Sequence, residues 1–213
     1  MKQFVPLRHE KTILQNQSAM ATTVPAVEEY RNFVASLAAG DGINRVFLNS
    51  DEDKALVVLV ELFKSAKSIV RIFAGSLYHH VGNKSEYVIA LSEFIEKGGE
   101  LRILLNNYNE EFAKSSNLYK RLAYYKSQGK PVFVKTTNSR PYRTEDPEKK
   151  EVHFTIGDEK AYRIETDIEK RTAECNFNNP DIAKTTADFF DTLFNREDAK
   201  EINLLKLFGD DNQ

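Results

Sequence analysis

Three short apolar runs, each followed or preceded by a segment of helical period, set the terms on which this chain can fold. They are SIVRIFAG at 68–75, ELRILLNN at 100–107 and PVFVKTT at 131–137. Between the first two, Val88, Ile89, Leu91, Phe94 and Ile95 recur at helical spacing and are stopped by Gly98-Gly99. Between the second and third, a tyrosine-rich helix is predicted from Phe112 to Ser127, ended by Gly129. Strands alternating with helices predict a parallel sheet, because a parallel connection needs a crossover of that length.

The flanks extend this pattern. INRVFL at 43–48 reads as a short strand, and Ser50-Asp51 offers a cap for the helix DEDKALVVLVELFKSAK, whose apolar stripe is Ala55, Leu56, Leu59, Val60 and Phe63. Past residue 150 the runs VHFTI, KAYRIE and TAECNF follow closely, with a turn at Gly157-Asp158, and predict an antiparallel portion of the same sheet. Asn179-Pro180 then opens a helix with Ile182, Ala183, Ala187, Phe190, Leu193 and Phe194 inward. The expected fold class is α/β, a mixed, largely parallel central sheet flanked by helices on both faces. Residues 1–42 are read as an N-terminal arm plus an amphipathic helix (Val27, Tyr30, Phe33, Val34, Leu37), 43–207 as the α/β domain and 208–213 as a disordered tail. The polar stretch 138–150, with two prolines, reads as a mobile loop.

Composition limits the chemistry. With 213 residues and a net charge of −2 the chain suits one core and is no polycation, although ten Lys or Arg between 114 and 150 face only Glu145, Asp146 and Glu148. Cys175 is the one cysteine, so an internal disulfide and a thiolate zinc site are excluded. No apolar stretch is long enough to span a bilayer, the opening lacks a signal-peptide centre, and a cytoplasmic protein without membrane contact is expected. There is no phosphate-cradling glycine loop and no Gly-x-Ser-x-Gly elbow. His79 and His80 are adjacent and point apart on a regular element, so neither a metal nor any other cofactor is expected.

Read in order, NSDEDKALVVLVELFKSAKSIVRIFAGSL, YVIALSEFIEKGGELRILLNN, VHFTIGDEKAYRIE and AECNFNNPDIAKTTADFFDTLF resemble one half-unit of the phospholipase D superfamily over residues 44–195. The resemblance implies a His-x-Lys-x-x-x-x-Asp signature followed by a small residue and Asn. Its histidine attacks phosphorus, its lysine and asparagine hold phosphoryl oxygens, and a second copy completes the site. Carried over residue by residue, His153 stands at the nucleophile position, Thr155 at the lysine and Lys160 at the acid, with Asp158 two residues early. Asn176 and Asn178 both compete for the asparagine, and Asn178 is preferred because it precedes the helix start. The signature is therefore degenerate, and a complete two-histidine site requires a homodimer.

Alternation on the hairpin places Arg163 and Glu165 on one side, with Glu174 on the next strand as a partner for Arg163. The residues expected to form a ligand pocket are His153, Asp158, Arg163, Glu165 and Asn178, with His153 the one candidate for catalysis; the plainer alternative is a set of structural ion pairs. Lys120, Arg121, Lys126 and Lys135 are the candidate nucleic-acid contacts, and Tyr119, Tyr124, Tyr125 and Tyr142 supply rings for base stacking. Three functions fit these residues. The first is a catalytically degenerate binding or regulatory module for nucleic acid, another phosphate-containing ligand or a protein, which the superfamily's nucleases place in bacterial defence. The second is an active phosphodiesterase or nuclease using His153 in a homodimer, and the third is an interaction subunit docking through the helix at 24–38.

Overall fold

β2 (Ile69–Ala74) is the strand on which the sheet is assembled. The computed structural model describes residues 26–40, 44–143 and 146–209. On one side β2 pairs in parallel with β3 (Glu100–Leu105), which pairs in parallel with β4 (Val132–Thr136). On the other side it pairs antiparallel with β5 (Phe154–Gly157), followed by β6 (Ala161–Asp167), β7 (Thr172–Asn176) and β1 (Phe47–Asn49), all antiparallel. The two-residue β8 (Lys200–Glu201) lies at the far edge, giving, among the described residues, eight strands in the order β1-β7-β6-β5-β2-β3-β4-β8. The expected mixed α/β sheet is what forms.

Alternation along each strand divides the core in two. Val70, Ile72 and Ala74 of β2, Leu101, Ile103 and Leu105 of β3, and Val132 and Val134 of β4 face the core shared with α2 (Glu52–Ser65), α3 (Ser85–Glu96) and α5 (Asn117–Ser127). Phe73, Leu104, Phe154, Ile156 and Tyr162 face α6 (Pro180–Phe194) instead. Capping follows the sequence: Asp51 accepts from Lys54 N at 2.9 Å at the start of α2, and Asn179 accepts from Ile182 N at 3.2 Å at the start of α6.

α6 is also tied down by charge. Arg71 and Arg102 are register partners on adjacent strands, and both reach Asp191 of α6. Arg71 grips it with Nε at 3.0 Å and Nη2 at 2.8 Å, while Arg102 Nη1 lies 3.0 Å away. Two like charges side by side on a sheet repel, so the shared carboxylate is what makes the pair tolerable. Burial pushes the Asp191 carboxyl up, but the two guanidiniums outweigh it and hold it below its ordinary value.

Several elements differ from expectation for local reasons. The helix expected over 112–127 is broken at Ser116, whose backbone is extended, into α4 (Glu110–Ser115), capped by Asn109, and α5. The break turns Leu118, Tyr119 and Leu122 into the core. α1, described over 26–38, is not held out for a partner: Val34 is fully buried, Phe33 packs edge-on against Phe47, and Tyr30 Oη donates to Leu48 O at 3.1 Å. The described parts of the loop expected to be mobile at 138–150 are pinned by a bridge between Tyr142 and Glu151 and by Val152 N donating to Pro141 O at 2.9 Å. At the other end Phe208, expected to belong to the tail, packs on the core after α7 (Leu204–Leu207). The arm expected at 1–22 and positions 210–213 lie outside the described residues. No described helix is long and apolar enough to cross a membrane.

Phe190 sits at the centre of the smaller core, fully buried, edge-on to Phe154 and stacked on Phe194. Phe190→Ala is expected to lower unfolding free energy by about 3–5 kcal/mol, read as a drop in urea midpoint with an unchanged slope.

Candidate functional site

The β5–β6 hairpin builds the site. Because Phe154 and Ile156 point to α6, His153 and Thr155 point to the opposite face, beneath α2. Across the hairpin Thr155 pairs with Arg163, and Glu165 N donates to His153 O at 2.8 Å, so His153 lies beside Glu165 and Thr155 beside Arg163. Thr155, Arg163 and Glu165 are each at most 4% exposed.

Burying a guanidinium and a carboxylate is tolerable only when each is paired. Arg163 Nη1 lies 3.0 Å from Glu165 Oε1, its Nε donates to Asn49 Oδ1 at 3.0 Å, and its Nη2 donates to Arg171 O at 3.2 Å. Asn49, from the edge strand β1, donates to the same Arg171 carbonyl. Glu165 Oε2 faces His153 Nδ1 at 3.2 Å as an ion pair and has no hydrogen-bond partner among the described residues. Arg171 Nη1 is 3.8 Å from Glu165 Oε1. Burial would raise the Glu165 carboxyl, yet His153 and Arg163 together hold it below its ordinary value. The second ring nitrogen of His153, Nε2, lies 3.2 Å from Glu151 Oε1. Glu151 is held in turn by Asn106 Nδ2 at 2.7 Å and Arg140 Nη1 at 2.9 Å.

A cavity of about 310 Å³ opens beside this cluster. Ala55 and Leu59 of α2 form one wall, the Gly75–Leu77 turn and Asn107 lie at the carboxyl ends of β2 and β3, and His153, Thr155, Arg163, Glu165 and Arg171 form the other wall. The loop from Leu77 to Gly82 roofs it and brings in His79 and His80. Leu77 and His80 hold left-handed φ values of 63° and 53°, a conformation costing about 1–2 kcal/mol per residue. The loop is held there by close packing of Gly82 against Leu77 O, where a Cβ would collide with the carbonyl. His80 Nδ1 lies 3.0 Å from Glu52 Oε2, and His79 stacks edge-on against Tyr78 and Phe112. Among the described residues no three His, Cys, Asp or Glu converge as a metal-binding set.

The expected pocket residues are thus separated. His153, Arg163 and Glu165 come together, but Asp158 and Asn178 do not join them. His153 precedes β5, whereas Asp158 follows it, at a left-handed turn with φ of 54°. There its carboxylate accepts from the backbone of Lys67, Ser68 and Ile69 at 2.9–3.0 Å, stitching the hairpin to the start of β2. Asn178 follows the end of β7 that pairs Asn176 with Tyr162, and Asn179 N donates to Lys160 O, so both asparagines lie at the Asp158 end of the sheet. Asn176 is engaged with Asn44 and Asn178 N. Glu174 does not pair with Arg163, because Cys175 is the register partner; Glu174 bonds Tyr162 Oη and Arg143 on the other face. The thiol of Cys175 is deeply buried and pushed up to about 12 by that burial.

The four basic candidates also divide. Lys120 and Arg121 are exposed on α5, Arg121 over the exposed ring of Tyr124. Lys126 instead donates to Val132 O and lies over Phe133, and Lys135 donates to Phe194 O and lies over its ring. Tyr119 and Tyr125 are core residues. Sequence reasoning missed Asn49, Glu151, Arg171 and the position of the exposed His79 and His80 at the cavity rim, since each reaches the site through a turn, a loop or an edge strand whose path no periodicity encodes.

Solved structures share this fold. TrmBL2, described as an archaeal chromatin protein with a novel mode of DNA binding, matches with a TM-score of 0.51 at 15% identity, over 91% of this chain and 69% of its own. Nuc from Salmonella typhimurium, a phospholipase D family member, matches with a TM-score of 0.50 at 15% identity, over 74% of this chain and 99% of its own. This chain has the phospholipase D-like fold. NucT from Helicobacter pylori matches at 0.51 and 12% identity, over 75% of this chain and all of its own. By sequence, no family model and no curated protein matches the phospholipase D-like chain.

Glu165→Gln leaves a buried guanidinium without its counter-charge and is expected to cost about 3–5 kcal/mol of stability. In the unsubstituted protein the depressed Glu165 carboxyl contributes stability in full above its ordinary value of 4.5, lost as pH falls through the lower native value. Stability curves between neutral and acid pH should therefore converge for the two proteins. Gly82→Ala is expected to unseat the roof of the cavity, raising amide exchange at Ser76–Asn83 while leaving the sheet protected.

Proposed function

We propose that this phospholipase D-like domain binds a phosphate-bearing ligand, with nucleic acid the favoured class, in the His153 cavity without turning it over. The observation that carries this is the environment of His153. A nucleophilic imidazole uses one nitrogen to bond an orienting acceptor and presents the lone pair of the other to phosphorus. Here both nitrogens face carboxylates, Glu165 at 3.2 Å and Glu151 at 3.2 Å. Thr155 stands where the phospholipase D signature carries a lysine, and Arg163 is committed to Glu165, Asn49 and a main-chain carbonyl. The charge that a transferring phosphoryl group develops would meet neither the signature lysine nor a free Arg163.

Binding is a lesser demand. Arg171 and the imidazoles of His79, His80 and His153 line a cavity whose one lining carboxylate, Glu165, is already neutralised by Arg163. The likeness to a DNA-binding chromatin protein and to Nuc favours nucleic acid among phosphate ligands. Lys120, Arg121 and Tyr124 on α5 offer backbone and ring contacts for a strand leaving the cavity. A homodimer would bring two such cavities to one ligand, as suits an accessory module in nucleic-acid processing or defence.

The test incubates the protein, without metal, with single- and double-stranded DNA, RNA and bis-p-nitrophenyl phosphate. Expected are no turnover and a nucleic-acid affinity that falls with salt, reduced about tenfold by Arg171→Ala. Turnover abolished by His153→Ala would establish an active phosphodiesterase instead, and absence of binding to every nucleic acid would remove the reading.

A further inference from the structure

The two carboxylates on His153 are not equivalent. Glu165 is 4% exposed and locked to Arg163. Glu151 is 22% exposed and stands at the end of the 138–150 loop, and its other charged partner, Arg140, is 75% exposed. One carboxylate is part of the wall; the other is a guest.

We infer that the Glu151 carboxylate is a tethered occupant of an anion subsite formed by Asn106, Arg140 and His153 Nε2, which the phosphate of a ligand takes over by displacing it. Three polar groups from separate parts of the chain converge on this one carboxylate: Asn106 Nδ2 at 2.7 Å, Arg140 Nη1 at 2.9 Å and the His153 ring nitrogen Nε2 at 3.2 Å. A cation, an amide and an imidazole converging on one point are the donor set a phosphoryl oxygen calls for. Glu165 belongs to the buried wall and faces Nδ1, whereas Nε2 faces the partly exposed Glu151, so Nε2 is the nitrogen a ligand reaches once Glu151 moves. A phosphate and a carboxylate cannot share that position, since like charges in contact repel strongly.

The tether gives displacement a consequence. Glu151 is bridged to Tyr142, and Val152 N donates to Pro141 O, so the same few residues that plug the subsite also pin the loop. Ligand entry exchanges the plug for the phosphate and releases the 138–143 segment, so the loop surface reports whether this subsite, which adjoins the cavity at His153, is filled.

This inference rests on the cavity being a phosphate-ligand site, and the experiment separates the two. Binding of inorganic phosphate and of a fluorescein-labelled single-stranded DNA is measured for the full chain, for His153→Ala, for Glu151→Gln and Glu151→Ala, and for each Glu151 variant combined with Asn106→Ala. Removing the competing charge is expected to tighten binding about tenfold, and Asn106→Ala to abolish that gain. In the unsubstituted chain, saturating DNA is expected to speed amide exchange at 140–143 and 151–152, a readout that does not depend on any variant folding. Binding weakened by His153→Ala yet unchanged or weakened by both Glu151 substitutions, with no change in exchange, overturns the displacement and leaves the site standing. Failure of the unsubstituted chain and both variants to bind either probe overturns the site and the displacement together.

Discussion

The buried guanidinium of Arg163 is the constraint around which this end of the molecule is arranged. A charge 4% exposed beneath α2 carries a desolvation cost of several kcal/mol that only close partners offset. Those partners come from three places: Glu165 two residues on, Asn49 from the edge strand, and the carbonyl of Arg171 at the β6–β7 turn. Arg171 adopts a left-handed φ of 58°, and its carbonyl receives both Arg163 and Asn49. Strand β1, the hairpin and the turn are thus fixed by one side chain, and the orientation of His153 follows from Glu165.

Much of this fold is legible in the sequence because its elements obey strong periodicities. The three parallel strands, the Asp51 and Asn179 caps and Ala183, Ala187, Phe190, Leu193 and Phe194 of α6 follow from spacing and local chemistry, whereas Ile182, expected inward in the first turn, is 39% exposed. What escaped is equally physical. The break at Ser116 depends on which residues the core takes from α5, a tertiary preference that overrides a continuous helical pattern. Asp158 reads as a displaced catalytic acid because a carboxylate near a turn looks the same whether it faces a ligand or three backbone amides.

The candidate site was only half legible for a related reason. Alternation within the hairpin puts Arg163 and Glu165 on one side, and the pairing of β5 with β6 sets His153 beside Glu165. Register between strands, however, decides that Arg163 meets Cys175 and that Glu174 turns to the other face. Asn49 and Glu151 are 104 and 2 residues from His153, and neither distance signals contact, since one arrives through a sheet edge and the other through a loop that doubles back.

The sheet ends in strands of three and two residues, β1 and β8. Short edges offer few unpaired backbone groups, which protects a sheet against adding foreign strands. Growth of the sheet from one molecule into the next is therefore a poor route to association for this chain. Any pairing of two copies is steered toward side-chain surfaces, such as the helix faces and the loops at the carboxyl ends of β2 and β3, where the cavity opens.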